Sequence, residues 1–374
     1  MKFALESFFF TLYRTCRLLL LLLLLASGGL AAQSGAQLIH AEVSRGRVAG
    51  DGERVMILEG AVHFRQDTVD IYCNRADHYR ESGKIVLLGD VHIHRGKERL
   101  SAQKVTYYEG RKLAIAERRV RVQRPGQSLA SEYLEYYYRS DKAFARHNLL
   151  LTDESSGVYV TAERGEYIPQ QHRSKVWENA HFWQIDAGGG DTLHIHAEVM
   201  EYFFQPERRA IASDSVRIRR GDLTAQCDSA SYLLSEERVF LERNPRAWQQ
   251  GNRLTGRQME MDFAGNKLRK IRVNGEAVAI SVEDSTAGKM NRLTGQGITA
   301  FVVDDKLSEL WAYDNARSKY YLKDNGLSQG INTASADTIR IYFREGELDR
   351  IAVKGGSQGI YYPTGYQGKI DTEF

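Results

Sequence analysis

The chain has 374 residues, and its 51 lysines and arginines against 48 acids leave a net charge of only +3, which excludes nucleic-acid binding driven by bulk charge. Three cysteines exclude a disulfide-dense scaffold, so stability has to come from burial and backbone pairing. Twenty tyrosines, 14 phenylalanines and 4 tryptophans supply apolar surface, and only five prolines interrupt the pairing.

The N-terminus reads as an export signal. Lys2, Arg14 and Arg17 form a basic region, residues 18–25 are eight consecutive leucines, and the small residues at 29–32 suit a signal peptidase. A cleaved signal peptide is expected over residues 1–32. The alternative is an uncleaved inner-membrane anchor, but Arg14 and Arg17 interrupt the apolar stretch short of the ~20 residues that a spanning helix needs. Cys16 precedes the leucines and so is no lipoprotein anchor. Without residues 1–32 the balance is 48 basic to 47 acidic residues.

Residues 33–362 read as one repeat domain, and 363–374 as a polar tail. The segment 84–94, KIVLLGDVHIH, is followed by LSAQKVTY at 100–107, and the second half recurs at 192–202 and 222–232. Anchor positions follow at Tyr79, Tyr107, Tyr136, Tyr167, Tyr202, Tyr232, Met261, Phe301 and Tyr342, giving about nine two-strand units. The first half of each unit has a short turn before an apolar residue: Gly60-Ala61-Val62, Gly89-Asp90-Val91, Asn179-Ala180, Asp214-Ser215-Val216, Gly275-Glu276-Ala277 and Asp314-Asn315-Ala316. Polar insertions around 186–191, 283–291 and 323–330 read as loops.

Within the units the apolar period is two. Val91 and Ile93 alternate with His92 and His94, Val120 and Val122 with Arg119 and Arg121, and Val216 and Ile218 with Arg217 and Arg219. Such strands bury one face and wet the other. The expected fold is all-β, an elongated stack of antiparallel strands with a shared apolar interior. The inward set by alternation is Val62, Phe64, Val91, Ile93, Val105, Val120, Val122, Phe182, Ile195, Val216, Ile218, Val273, Val278 and Ile280, with His92, Arg119 and Arg217 outside.

Gly89-Asp90-Val91-His92-Ile93 and Ala102-Gln103-Lys104-Val105-Thr106-Tyr107, iterated behind a signal peptide, resemble the OstA-like family. These are the organic-solvent-tolerance and LptA-type lipopolysaccharide-transport proteins. The resemblance runs roughly from Gln37 to Tyr362. It implies a β-taco or jellyroll, an open V of strands whose apolar inside holds lipid acyl chains. It also implies a non-enzymatic periplasmic role, with lipopolysaccharide and other transport components as partners. The inward set above then becomes the groove lining. Arg119, Arg121, Arg217 and Arg219 become candidates for phosphate-bearing head groups, since arginine binds phosphate bidentately. This chain departs from a compact carrier in its insertions and its larger number of repeats.

Other motifs carry less. His92/His94 and His194/His196 share a strand face pairwise, but no third ligand stands in register, so no metal is expected. Gly355-Gly356-Ser357-Gln358-Gly359 matches a nucleophile elbow by letter, but the following Ile360-Tyr361-Tyr362-Pro363 is not helical. No catalytic set and no cofactor motif is present in context. Cys73 and Cys227 fall in distant repeats and are expected to be free, buried thiols.

An open stack ends in unpaired edges, expected near residues 39–43 and near 348–353 or 360–362. Such edges recruit strands by β-augmentation, in the transport partners or head to tail between copies. The rival readings are a structural or adhesive β-solenoid with a closed core and, more remotely, a carbohydrate-active β-repeat enzyme.

Overall fold

The computed structural model describes residues 36–155, 157–185, 191–203, 208–233, 235–249, 251–264, 267–284, 288–304, 306–324, 327–344, 347–368 and 370. The expected signal peptide lies outside them. No helix of the described residues is long and apolar enough to cross a membrane. Where the sequence reads as one domain, the described chain packs as two compact units. One runs to Thr192 and takes in Ala197–Arg208; the other takes Leu193–His196 and Arg209 onward.

The first unit is an antiparallel meander. Its strands are β1 (Gln37–His40), β2 (Val43–Val48), β3 (Arg54–Gln66), β4 (Val69–Tyr79), β5 (Lys84–Arg95), β6 (Glu98–Tyr108), β7 (Leu113–Arg124), β8 (Gln127–Tyr137), β9 (Lys142–Asp153), β10 (Val158–Ile168) and β11 (Arg173–Gln184). Each of β3–β10 pairs with the strand that follows it. Strand β12 (Leu193–Phe203) divides between the units.

The sequence turns Gly60-Ala61 and Gly89-Asp90 are corners within strands. Each odd-numbered strand from β3 to β11 carries one residue more than its partner at mid-length, and two consecutive residues there have positive φ: Gly60-Ala61, Gly89-Asp90, Arg118-Arg119, His147-Asn148 and Glu178-Asn179. A β-bulge of this kind bends a strand. The bend gives every strand two limbs: limb A holds the N-terminal half of the odd strands, limb B the C-terminal half.

Two rows line limb A. One is Leu58, Ala76, Leu87, Val105, Ala116, Leu134, Ala145, Gly165 and Val176, each opposite the next. The other holds Tyr107, Tyr136 and Tyr167, all fully buried, opposite Ala114 and Ala143. Large residues facing small ones fill such a layer. This row corrects one anchor: in β4 it passes through His78, because Ile85 pairs with both His78 and Tyr107, while Tyr79 faces outward beside Lys84.

The second unit repeats the plan. Its strands are β13 (Arg209–Arg220), β14 (Leu223–Leu233), β15 (Arg238–Glu242), β16 (Arg246–Gln249), β17 (Asn252–Thr255), β18 (Gln258–Ala264), β19 (Lys267–Asp284), β20 (Lys289–Val303), β21 (Lys306–Asp324), β22 (Leu327–Arg344), β23 (Glu347–Lys354) and β24 (Gln358–Tyr362). Corners with paired positive φ recur at Asp214-Ser215, Arg243-Asn244, Gly275-Glu276, Asp314-Asn315 and Gly355-Gly356. The limb A row runs Tyr232, Val239, Met261, Ile271, Ala300, Leu310, Ile341, Ile351. The anchors at Phe301 and Tyr342 are thus one residue off, with Ala300 and Ile341 inside.

The described residues of the expected loops at 283–291 and 323–330 are mostly strand. β19 to β22 have 18, 15, 19 and 18 residues, against 12 in β5 and 11 in β6. Polar residues join the extension because their backbones pair and their side chains find partners. Asn291 Oδ1 accepts the Tyr321 N–H at 2.8 Å, and the ammonium groups of Lys289 and Lys319 lie over the Tyr321 ring.

Candidate lipid-binding interior

The sequence-derived lining concentrates in limb B of the first unit. Phe64, Ile71, Ile93, Leu100, Val122, Leu129, Leu151, Val160 and Phe182 form one row, each directly opposite the next. All but the half-buried Phe64 are at most 2% exposed. Val62, Val91 and Val120 follow the corners and are wholly buried, as is Val105 in limb A. The inner rows of the two limbs bury each other, so the interior is filled. Ile71, Leu100, Leu129, Leu151 and Val160 were missed by the sequence reading. Carrying the same alternation into the second strand of each unit would have found all but Leu151, which lies in the first strand β9.

In the second unit Val216 and Val273 are buried, and Ile218 is half-buried opposite Ala225. Ile195 is half-buried, within the Leu193–His196 segment. Val278 and Ile280 require correction: they stand opposite Thr294 and Arg292 on the face away from buried Ala277 and Leu293. The extra residue of the Gly275-Glu276 corner puts Ala277 where Val91 stands in β5, so Ala277 and Ala279 point inward. The matching limb B row is small: Ala225, Ala247, Leu254, Ala279, Leu293, Ser318, Ala334, Gly359.

The four arginines considered for head groups are all exposed. Arg121 stands opposite Ser101 and Ala130, Arg217 opposite Gln226 and Arg219 opposite Thr224, all on the outer face. Arg119 sits at the corner itself, the far end of the limbs from the hairpin turns.

The outer histidines form a surface cluster. His63 Nε2 lies 2.8 Å from Asp70 Oδ1, and its ring stacks on Tyr72 with centroids 4.3 Å apart. The hydrogen bonds from His63 and Arg65 hold the Asp70 carboxyl below its ordinary range. Burial, with Arg99 and His92 nearby, depresses His94. Among the described residues no three His, Cys, Asp or Glu side chains are placed to hold a metal. Gly355 and Gly356 are the corner between β23 and β24, and strand, not helix, follows Ser357. Cys73 and Cys227 are free and buried. Burial pushes their thiols up, to about 12 and about 11.

Residues 36–187 match the model of the family described as OstA-like protein. Over this stretch the chain is similar to that family. The match lies within the first unit, where the row of large lining residues also lies. No curated protein matches the chain. Among solved structures it is similar to LptH of Pseudomonas aeruginosa, the LptA-homologous periplasmic component of the lipopolysaccharide transport device. The identity is 16%, the TM-score 0.27, and the match covers 31% of this chain and 80% of that one. The strands and pairings of residues 36–187 themselves make an all-β, antiparallel, two-limbed unit with one continuous apolar row.

Proposed function

We propose that this protein is a non-enzymatic periplasmic carrier or bridge that holds lipopolysaccharide acyl chains between its limbs on the way to the outer membrane. The observation that carries this reading is the limb B row from Phe64 to Phe182, uniformly large and apolar across nine strands. An acyl chain lying along it gains ~0.8 kcal/mol per buried methylene. Because the limbs bury each other, entry means parting them, with lipid contacts replacing limb-to-limb contacts. The Val278 and Ile280 positions drop out of the proposed lining, and Ala277 and Ala279 replace them.

Edges support the bridging half. β1 and β2 both pair with β3, and β23 and β24 both pair with β22. Each end of the meander is therefore a strand broken at the corner, with its outer backbone open to a partner strand among the described residues. A transport component or a second copy docked there would continue both limbs.

The closed interior is also what a purely structural β-solenoid would show. A photo-crosslinker at Ile93 separates the two. Capture of lipopolysaccharide in cells, above that of a crosslinker at the outward His92, supports the carrier. Equal yields at the two positions would discard it in favour of the solenoid.

A further inference from the structure

The long strands of the second unit carry side chains beyond the reach of limb B in the first. Ala277 takes the place that Val91 holds in β5, so the end of β5 at Arg95 corresponds to Ser281. Val282 stands past that point, on the same outward face as Val278 and Ile280, and directly opposite Met290. Carrying the β20–β21 register two residues past the Arg292–Lys319 pair brings Met290 beside Tyr321. Tyr321 is opposite Ile331, and Ile331 is opposite Tyr362. These five side chains make one outward apolar row across β19, β20, β21, β22 and β24. Strands ~4.8 Å apart spread it over about 19 Å.

An outward row should be polar, and this one is not. Val282 is 49% exposed and Met290 50%. Contiguous apolar residues kept on an outer face mark an interaction surface. The next row toward the corner gives the chemistry of the partner. It runs Arg253, Ile280, Arg292 and Lys319, each opposite the next. The ammonium groups of Lys289 and Lys319 sit over the Tyr321 ring, at the junction of the two rows. Among the described residues no carboxylate pairs with Arg253, Arg292 or Lys319, and between the corner and the apolar row the outward residues of β19–β22 include no acid. The cores of protein–protein interfaces are depleted of lysine. Apolar side chains at the ends of hairpins, with cations and a tyrosine ring just behind them, instead match the boundary of an anionic bilayer.

We infer that the outer face of limb B in β19–β22 is a docking surface for an anionic phospholipid bilayer. Val282, Met290 and Tyr321 enter the boundary between head groups and acyl chains, and Arg253, Arg292 and Lys319 meet the lipid phosphates behind them. Binding is peripheral and reversible, because a single row of side chains reaches only the edge of the hydrocarbon. The surface lies outside the limbs and is independent of what the interior holds.

Flotation of the exported chain, purified from periplasmic extract, with phosphatidylcholine vesicles that contain or lack phosphatidylglycerol tests it. Stronger retention on the vesicles with phosphatidylglycerol, weakened by salt, is expected. Arg253→Gln and Arg292→Gln, both at exposed positions, should each lower the partition coefficient about fivefold, as for one cation at an anionic surface. Met290→Asp should lower it about tenfold or more, through lost apolar burial and added repulsion. Thermal midpoints should stay at the parent value in all three, since the side chains face outward. Arg121→Gln removes the same charge from the outer face of the first unit and should leave retention unchanged. Failure to float with either vesicle overturns the assignment, as does retention that Met290→Asp leaves intact, or an equal loss in Arg121→Gln. A dimer seen by light scattering that Met290→Asp dissolves, without flotation, overturns it in favour of a second copy of the chain.

Discussion

His78 stands directly opposite Ile85 on the inner side of limb A, in the row that the buried tyrosines continue. Burial and the nearby Arg80 depress its pKa below the ordinary 6.5, with Glu109 opposing. The unfolded chain therefore takes up a proton before the folded one does. Stability from this site is complete above about pH 6.5 and is lost as pH falls through the depressed folded value. His78→Phe should flatten the acid side of a plot of thermal midpoint against pH. His94 and His196 are shifted the same way, so some slope should remain. A slope identical to that of the parent would remove His78 as a contributor.

Register predicts opposite outcomes for two apolar residues that look alike in sequence. Ile93 is 1% exposed in the middle of the limb B row, and Ile93→Ala should cost about 2–5 kcal/mol through lost contacts and a cavity. Val278 faces outward beside Thr294, and Val278→Thr should stay within about 0.5 kcal/mol. Denaturant midpoints of the two variants check this. Similar losses would place Val278 inside.

The corners predict a stabilising change. His147 has φ 63°, which costs a residue with a Cβ about 1–2 kcal/mol. His147→Gly should recover about 1 kcal/mol, less the added chain entropy of glycine in the unfolded state. A lower midpoint in this variant would mean that the imidazole makes a compensating contact.

Gly330 is the reverse case. Its φ is 114°, and a Cβ there would run into the carbonyl oxygen of Tyr362 and the backbone of Pro363. Gly330→Ala should lift β24 from β22 and leave the limb A pairing of β23 in place. Faster amide exchange confined to residues 358–362 and their partners 331–335 is the expected signature.

The tail bears on assembly. Thr364 Oγ1 donates to the Ser328 carbonyl at 2.8 Å, and the Tyr366 ring packs on Tyr362 with centroids 5.1 Å apart. These contacts hold residues 363–366 against Tyr362 and the start of β22, while β24 is exposed at four of its five residues and β1 and β2 along their whole length. Deleting residues 363–374 should therefore produce longer oligomers as concentration rises, measured by light scattering. A monomer at all concentrations, without capture by crosslinkers at Ile39, would remove edge pairing as the assembly mode.

Strand alternation was legible where hydrophobic and charged residues take turns, as in Val91-His92-Ile93, because a two-residue period has only one physical reading. The corners were legible at Gly60, Gly89, Asn179 and Gly275, where residue type announces positive φ. At Arg118-Arg119 and His147-Asn148 they were not fully so, since arginine and histidine give no such signal. The marks read as short turns in the first half of each unit are bends within single strands, because a bulge and a tight turn call for the same residues. Val278 was misplaced for that reason: alternation says which residues share a face, but only the corner says which face is inside. Tyr79 follows from the repeat spacing of the anchors, whereas cross-strand pairing puts His78 in the buried row.

The extra residue at each corner works as a reading frame. Deleting one residue from the Gly89-Asp90 corner would shift the rest of β5 by one place and turn it over: His92 and His94 would enter the interior, and Val91 and Ile93 would face water. A deletion of two would keep every face and only shorten the limb. Changes of length at the hairpin ends escape this constraint, since nothing downstream in the strand depends on them. The long strands β19 to β22 grew at those ends, in concert, so that each added residue met a neighbour to pair with. A chain of this design can therefore vary the width of its limbs along its length while its corners stay fixed in count.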